Sequence, residues 1–204
     1  MDKTKIAVGL FNKLATEYQN KFMNVDLYGD SLNIFCNNIP KQNAEILELA
    51  CGPGNITKYL LTKRPDFKIL GTDLAPNMIE LAKINNPTAE FQLLDCREIS
   101  SRNKKYDAIM CGFALPYLSK EEAVKLIGDA SQVLNPDGVI YISTMEDDYN
   151  KSGFKKGSTG EEMFMHYHEA EYLVAALGKN GFKVLDLQRL KQDEVVDLVI
   201  IARK

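Results

Sequence analysis

Residues 45–57 read E-I-L-E-L-A-C-G-P-G-N-I-T. A short apolar run, Ile46, Leu47 and Leu49, carries Glu48 near its end. The small residues Ala50, Cys51, Gly52, Pro53 and Gly54 then form a turn, and helix-compatible residues continue from Asn55 to Leu61. Strand, glycine turn and helix in this order bring backbone N–H groups and a helix N-terminus against a ligand with no side chain between them. A lone G-x-G also serves ordinary tight connections. The weight here comes from its neighbourhood, where a second strand, residues 67–72, ends at Asp73. That acid stands about 20 residues beyond the turn, where nucleotide-binding α/β folds place a carboxylate that accepts hydrogen bonds from ribose hydroxyls.

Outward from this stretch, strand and helix alternate. Strands are predicted at 45–49, 67–72, 89–94, 106–111 and 138–144, with helices at 54–63, 76–85 and 120–134 between them. Apolar strands separated by amphipathic helices give a parallel sheet covered on both faces. L-N-P-D-G-V, residues 134–139, reads as a turn delivering the fifth strand. The end of the chain differs. After a helix at 169–180, strands at 182–188 and 195–202 have only a few residues between them. So short a connection cannot make a crossover, and these two strands must pair antiparallel. The sum is an α/β protein: a doubly wound sheet of seven strands, mostly parallel, with an antiparallel C-terminal hairpin and N-terminal helices before it. In that preamble Ile6, Leu10, Leu14 and Ala15 recur at helical spacing, and Leu27, Leu32, Ile34 and Phe35 suggest a second helix.

L-E-L-A-C-G-P-G at 47–54, followed by G-T-D-L-A-P-N-M-I at 71–79, resembles the first two motifs of the class I S-adenosylmethionine-dependent methyltransferases. The dinucleotide fingerprint G-x-G-x-x-G is not completed, because Thr57 stands three residues past Gly54. That weakens a nicotinamide or flavin reading and fits a ligand without a pyrophosphate. The resemblance implies a Rossmann-like fold, S-adenosyl-L-methionine as cofactor and S-adenosyl-L-homocysteine as product. It sets the cofactor's amino acid tail against the loop of Glu48, Ala50, Cys51, Gly52, Gly54 and Asn55, and its ribose on Asp73, followed by Leu74 and Met78. The adenine amino group would fall to Asp95, with Cys96 offering its backbone N–H, and the sulfonium to Cys111, Gly112 and Phe113. Tyr18, within F-N-K-L-A-T-E-Y-Q at 11–19, resembles an aromatic that lies over the cofactor. Ordinary structural roles stand beside these: Asp73 as a cap for the helix starting near Pro76, Met78 as core, Asp95 as a solvated strand-end acid. Phe11, Tyr18 and Phe22 also read as the packed face of an amphipathic helix. The single domain, 1–204, divides into a helical cap (1–40), a cofactor-binding core (41–145), a lid or substrate insertion (146–168) and a C-terminal helix with two strands (169–204).

Met145 to His166 is the least regular stretch, and it runs into Phe164-Met165-His166-Tyr167-His168. A structureless loop of ~20 residues inside a compact domain is usually a lid or binding loop. His166, His168 and the intervening Tyr167 are therefore candidate catalytic residues, histidine being the natural base near neutral pH. A histidine here could equally flank the helix beginning at Glu169. The H-x-H pair has no third ligand at metal-binding spacing, and the four scattered cysteines form no C-x-x-C pair, so no metal is expected.

With 204 residues, 45% of them hydrophobic and 26% charged, the composition is that of a soluble globular domain. A net charge of -3 supplies no field for nucleic acid or acidic membranes. Methylases of bases and glutamine amides carry Asn/Asp-Pro-Pro-aromatic after the fourth strand, whereas this chain has Ala114-Leu115-Pro116-Tyr117. The expected partner is a small-molecule methyl acceptor with an O, N, S or C nucleophile, with no nucleic acid and no membrane, in a monomer or homodimer. No secretory leader or membrane span is evident, which gives the cytoplasm as the expected location. Two alternatives remain open: a non-catalytic binder of adenosylmethionine or adenosylhomocysteine, and an NAD-dependent oxidoreductase.

Overall fold

Three helices precede the sheet in this computed structural model, which describes residues 2–156, 160–192 and 195–204: α1 (Lys3–Lys13), α2 (Ala15–Phe22) and α3 (Gly29–Asn37). After them come β1 (Glu45–Leu49), α4 (Asn55–Lys63), β2 (Lys68–Asp73), α5 (Pro76–Asn85), β3 (Glu90–Leu93), β4 (Tyr106–Gly112) and α6 (Lys120–Val133). The chain continues with β5 (Leu134–Glu146), the short strands β6 (Gly153–Lys156) and β7 (Glu162–Met165), α7 (Ala170–Lys179), β8 (Lys183–Gln192) and β9 (Val195–Arg203).

Seven strands form one sheet in the order β3-β2-β1-β4-β5-β9-β8. The first five pair in parallel, and β9 runs antiparallel to both β5 and β8. This is the predicted architecture. Strand order reverses between β1 and β4, so the C-terminal ends of those strands diverge and leave a crevice. The central strands are apolar because both faces are covered. Leu32 and Phe35 of α3 and Leu60 of α4 pack with Ile46, Met110 and Tyr141 on one face. Leu126 and Ile127 of α6 and Leu173 and Leu177 of α7 pack with Leu47, Ile109 and Ile142 on the other. Helix α6 starts at a capping box, in which the Ser119 hydroxyl accepts from Glu122 N–H and the Glu122 carboxylate accepts from Ser119 N–H.

The preamble divides where the sequence suggested one run of helix. Leu14 leaves the helical region at φ −103°, which separates α1 from α2. These two helices lie over the sheet's carboxyl edge. Asn12 accepts from Asn77 N–H and its carbonyl accepts from Asn77 Nδ2, both at 2.8 Å. Asn85 Nδ2 donates to Gln19 Oε1 at 2.7 Å, Asn55 Nδ2 to the Phe22 carbonyl at 2.9 Å, and Thr4 Oγ1 to the Tyr117 carbonyl at 2.9 Å. Helix α3, expected within the same cap, instead belongs to the layer on the sheet face.

Two further expectations change. Residues 145–166 are not structureless, since β6 and β7 pair antiparallel with Phe154 opposite Phe164, their rings 5.4 Å apart and edge-on. Four-residue strands carrying Lys155, Lys156 and Glu162 give too short an alternation to register as strand. Residues 157–159, part of the predicted lid, lie outside the described residues. The predicted turn at 134–139 is folded into β5 as an irregularity: Leu134 pairs with Tyr106, pairing resumes at Val139, and Asp137 takes φ 61° between them. Among the described residues, no helix is long and apolar enough to cross a membrane.

Candidate active site

The turn after β1 is built by backbone geometry that few residues tolerate. Gly52 and Gly54 have φ 54° and 78°, and Ala50 takes φ 51° beside them. Gly54 caps α4, and a Cβ there would stand 2.3 Å from Asn86 Nδ2. A non-glycine residue held at positive φ is strained, by about 1–3 kcal/mol, and such strain concentrates at ligand sites. Phe113, just past β4, is the matching case at φ 54°, its N–H held by Ser143 Oγ at 3.0 Å. The two distorted turns face each other across the divergence of β1 and β4.

Between them opens a cavity of about 710 Å³ of empty space, its mouth included. Ala50 and Gly52 supply the β1 end, Asp73 and Leu74 the β2 end, Leu94, Asp95 and Cys96 the β3 end, and Gly112, Phe113 and Ala114 the β4 end. Met78 of α5 forms part of the wall, with Tyr117 and Leu118 beyond Ala114. The roof is Thr4, Ala7, Val8 and Phe11 of α1 with Tyr18 of α2. Phe11 packs edge-on against both Tyr18 and Tyr117, at 5.6 and 5.0 Å between ring centroids.

Two carboxylates mark the polar positions. Asp73 Oδ2 accepts from Gly52 N–H at 2.9 Å and Oδ1 from Ala75 N–H at 2.8 Å, so one side chain fixes the glycine turn and braces the start of α5. Burial raises its pKa. These two bonds leave part of its acceptor capacity turned to the cavity. Asp95 is gripped by Arg97, whose Nε lies 3.0 Å from both oxygens and whose Nη2 lies 2.6 Å from Oδ2. Burial beside Asp73 pushes the Tyr18 hydroxyl up to about 12. The Cys96 thiol is also held protonated by burial, well above its usual range.

The structure brings ten of the fifteen predicted binding residues to this cavity: Tyr18, Ala50, Gly52, Asp73, Leu74, Met78, Asp95, Cys96, Gly112 and Phe113. Five stand behind it. Glu48 points toward α4, where Thr57 Oγ1 donates to it at 2.5 Å, and burial raises its pKa to about 7. Cys51 packs with Ile79, Ala82 and Phe91, and Cys111 lies in the α6–α7 core. Gly54 abuts α5, and Asn55 is spent on the Phe22 carbonyl. The three predicted catalytic residues do not line the cavity either. His168 is fully buried, its Nε2 lies 2.7 Å from the Leu115 carbonyl and its Nδ1 meets the Tyr172 hydroxyl. Burial lowers its pKa to about 4. His166 stacks on Tyr149, with Nδ1 3.3 Å from the Tyr149 hydroxyl, and burial lowers its pKa too. Tyr167 N–H donates to Ser152 Oγ at 3.1 Å, and its ring lies under Lys155 Nζ. Among the described residues, no group of three or more His, Cys, Asp or Glu could hold a metal ion.

Sequence reasoning missed the α1 residues and Leu94, Ala114, Tyr117 and Leu118. The helical spacing was read on Ile6 and Leu10, whereas the α1 residues that face the cavity are Thr4, Ala7, Val8 and Phe11.

Residues 46–138 match the methyltransferase-domain family. Over 106 residues, 51% of the chain, it is 35% identical to a malonyl-[acyl-carrier protein] O-methyltransferase of Acetivibrio thermocellus, of which the match covers 36%. Over 99 residues, 48% of the chain, it is 33% identical to a trans-aconitate 2-methyltransferase of Variovorax paradoxus, of which the match covers 38%. The chain thus spans well under two thirds of the curated relatives it matches. Among solved structures, a DhpI–SAH complex superposes with TM-score 0.76 at 16% identity, covering 99% of this chain and 97% of that one. Magnesium protoporphyrin IX methyltransferase of Synechocystis PCC 6803 with bound SAM does so with TM-score 0.75 at 15% identity, covering 100% and 98%. At these identities the superpositions establish the fold.

Proposed function

We propose that the chain, whose residues 46–138 match the methyltransferase-domain family, is a class I S-adenosylmethionine-dependent methyltransferase that methylates a small molecule. One observation carries the reading: a single cavity is lined by the ends of four consecutive strands, with Gly52, Asp73, Asp95 and Phe113 at its corners.

The residues present fit the cofactor. Gly52 leaves the turn without a side chain, and a Cβ there would come within 3.7 Å of the Tyr18 ring and narrow the gap. Asp73 is aimed to accept from ribose hydroxyls, Asp95 from the adenine amino group, and Leu74, Met78, Leu94 and Cys96 offer apolar walls to a purine. S-adenosylmethionine supplies an already activated methyl group on a sulfonium. What remains for the chain is alignment and exclusion of water. Phe113 and Gly112 border the side from which an acceptor would approach, and α1 with α2 closes the opposite side. The names of relatives and structural neighbours, with malonyl-acyl carrier protein, trans-aconitate and magnesium protoporphyrin in them, support a small acceptor, either free or carried as an acyl group on a protein. Neither histidine reaches the cavity, so the acceptor's proton leaves by another route or the acceptor arrives without one.

Calorimetric titration of the protein with adenosylmethionine, adenosylhomocysteine and NADH tests this directly. Micromolar binding of the first two, with none of NADH, is expected. No binding of either adenosyl ligand to folded protein rejects the reading.

A further inference from the structure

Arg97 is absent from the cavity lining and carries no motif in the sequence, yet it touches three carboxylates on three different elements. Its Nε and Nη2 clasp Asp95, its own backbone N–H donates to Asp95 Oδ1 at 2.9 Å, Nη1 lies 3.0 Å from Glu122 of the α6 capping box, and Nη2 lies 3.3 Å from Asp2. Asp2 in turn accepts from Thr4 and Lys5 N–H at the start of α1. The two ion-paired side chains of the clasp are 19% and 15% exposed, dry enough for the fork to hold its geometry.

We propose that Arg97 is a positioning residue that fixes the Asp95 carboxylate as an acceptor in the cavity and so makes the site selective for a 6-amino purine over a 6-oxo purine. The inference rests on the adenosyl reading above. A carboxylate with one side saturated by a guanidinium fork has only the remaining lone pairs to offer, and Asp95 lines the cavity between Leu94 and Cys96. An amino group donates to that acceptor. A 6-oxo group presents a second acceptor to it and is repelled. Arginine suits the task because a fork sets the plane of the carboxylate, which a lysine's point charge does not.

The test compares S-adenosylhomocysteine with S-inosylhomocysteine by calorimetry, in wild type, Arg97→Lys, Arg97→Met and Asp2→Asn, with melting curves alongside. Wild type should favour the adenosyl ligand by roughly tenfold to a hundredfold, as expected for a hydrogen bond to a charged group. Arg97→Met should lose most of that ratio, and Arg97→Lys should fall between the two. Asp2→Asn, which loosens α1 without touching Asp95, should weaken both ligands alike and keep the ratio. A merely structural Arg97 would lower both affinities together. A wild-type ratio near one overturns the inference, as does an unchanged ratio in the Arg97 variants. If Arg97→Met does not fold, Arg97→Lys decides. Failure of wild type to bind S-adenosylhomocysteine at all is a different result, and it removes the cofactor reading first.

Discussion

The glycine turn after β1 and the histidine segment after β7 are equally rich in reactive residue types, yet they play opposite parts. At the turn, Gly52 and Asp73 leave backbone and carboxylate facing open space. In the histidine segment, both ring nitrogens of His168 are occupied, and His166 is stacked on Tyr149 with the Phe164 ring tilted against it. The difference is position on the sheet. The turn sits where β1 and β4 diverge. The histidines sit beneath Leu115 and Pro116, where backbone bonds from His166 and His168 to the Pro116 and Met145 carbonyls seal them in. A reactive side chain is available for chemistry only when the fold leaves one of its atoms unspent.

The contrast can be broken most forcefully through His168 and Glu48, which carry opposite pH signatures. For His168, burial lowers the pKa from 6.5 to about 4, so the unfolded chain takes the proton first and stability is lost as pH falls through that window. The span is about 3 kcal/mol at 1.36 kcal/mol per unit. For Glu48 the pKa rises from 4.5 to about 7, so the folded chain keeps the proton longer and stability is lost as pH rises through that window, by a similar amount of about 3 kcal/mol. Wild-type stability should therefore be nearly flat between pH 5 and 6.5, because the two slopes oppose. Denaturant melts should show His168→Phe losing stability as pH rises and Glu48→Gln gaining it. His168→Phe should also cost about 3 kcal/mol near neutral pH by stranding the Leu115 carbonyl and the Tyr172 hydroxyl. Parallel pH curves for the two variants would disprove this division of roles.

Next in size is Asp73→Ala. Removing the carboxylate takes the proposed ribose acceptor and frees the Gly52 and Ala75 N–H groups, so affinity for adenosylhomocysteine should fall by roughly 1–3 kcal/mol. Titration of wild type and variant under one buffer checks it. Gly52→Ala should come after it at about 1 kcal/mol, since the φ of 54° strains alanine while its Cβ only touches the Tyr18 ring at 3.7 Å. An affinity unchanged in both would detach the turn from ligand binding.

The fold was legible because each layer repeats its signal. Strand, turn and helix recur, and the brief link from β8 to β9 forces an antiparallel pair. The strand-end residues of the site were legible for the same reason, since a parallel sheet presents them all along one edge. Glu48 and Cys111 each stand one residue before the end of their strand, β1 and β4, where the pleat turns their side chains to the sheet faces, toward Thr57 and the α6–α7 core. Tyr18 carried two readings that the structure joins, for the packed face it shares with Phe11 is also the cavity's roof. The rest, Thr4, Val8 and Tyr117, depends on where α1 docks. Arg97 holding Asp2 and Asn77 holding Asn12 fix that docking, and contacts between positions so far apart in sequence leave no local pattern.

The smallest effect sharpens the contrast most. His166→Ala removes a ring that touches Tyr149 and Phe164 and leaves the residues lining the cavity in place. Its affinity for adenosylhomocysteine should stay within roughly threefold of wild type, less than about 0.7 kcal/mol. The lost stacking should appear instead in the melting temperature, because β7 packs against α1 through Lys3, whose ammonium lies over the Phe164 ring. A tenfold loss of affinity with an unchanged melt would place the hairpin in the binding site and return a histidine to the chemistry. An unchanged affinity with a lowered melt leaves the hairpin as the brace behind α1, and the ligand-facing role then rests with the strand ends.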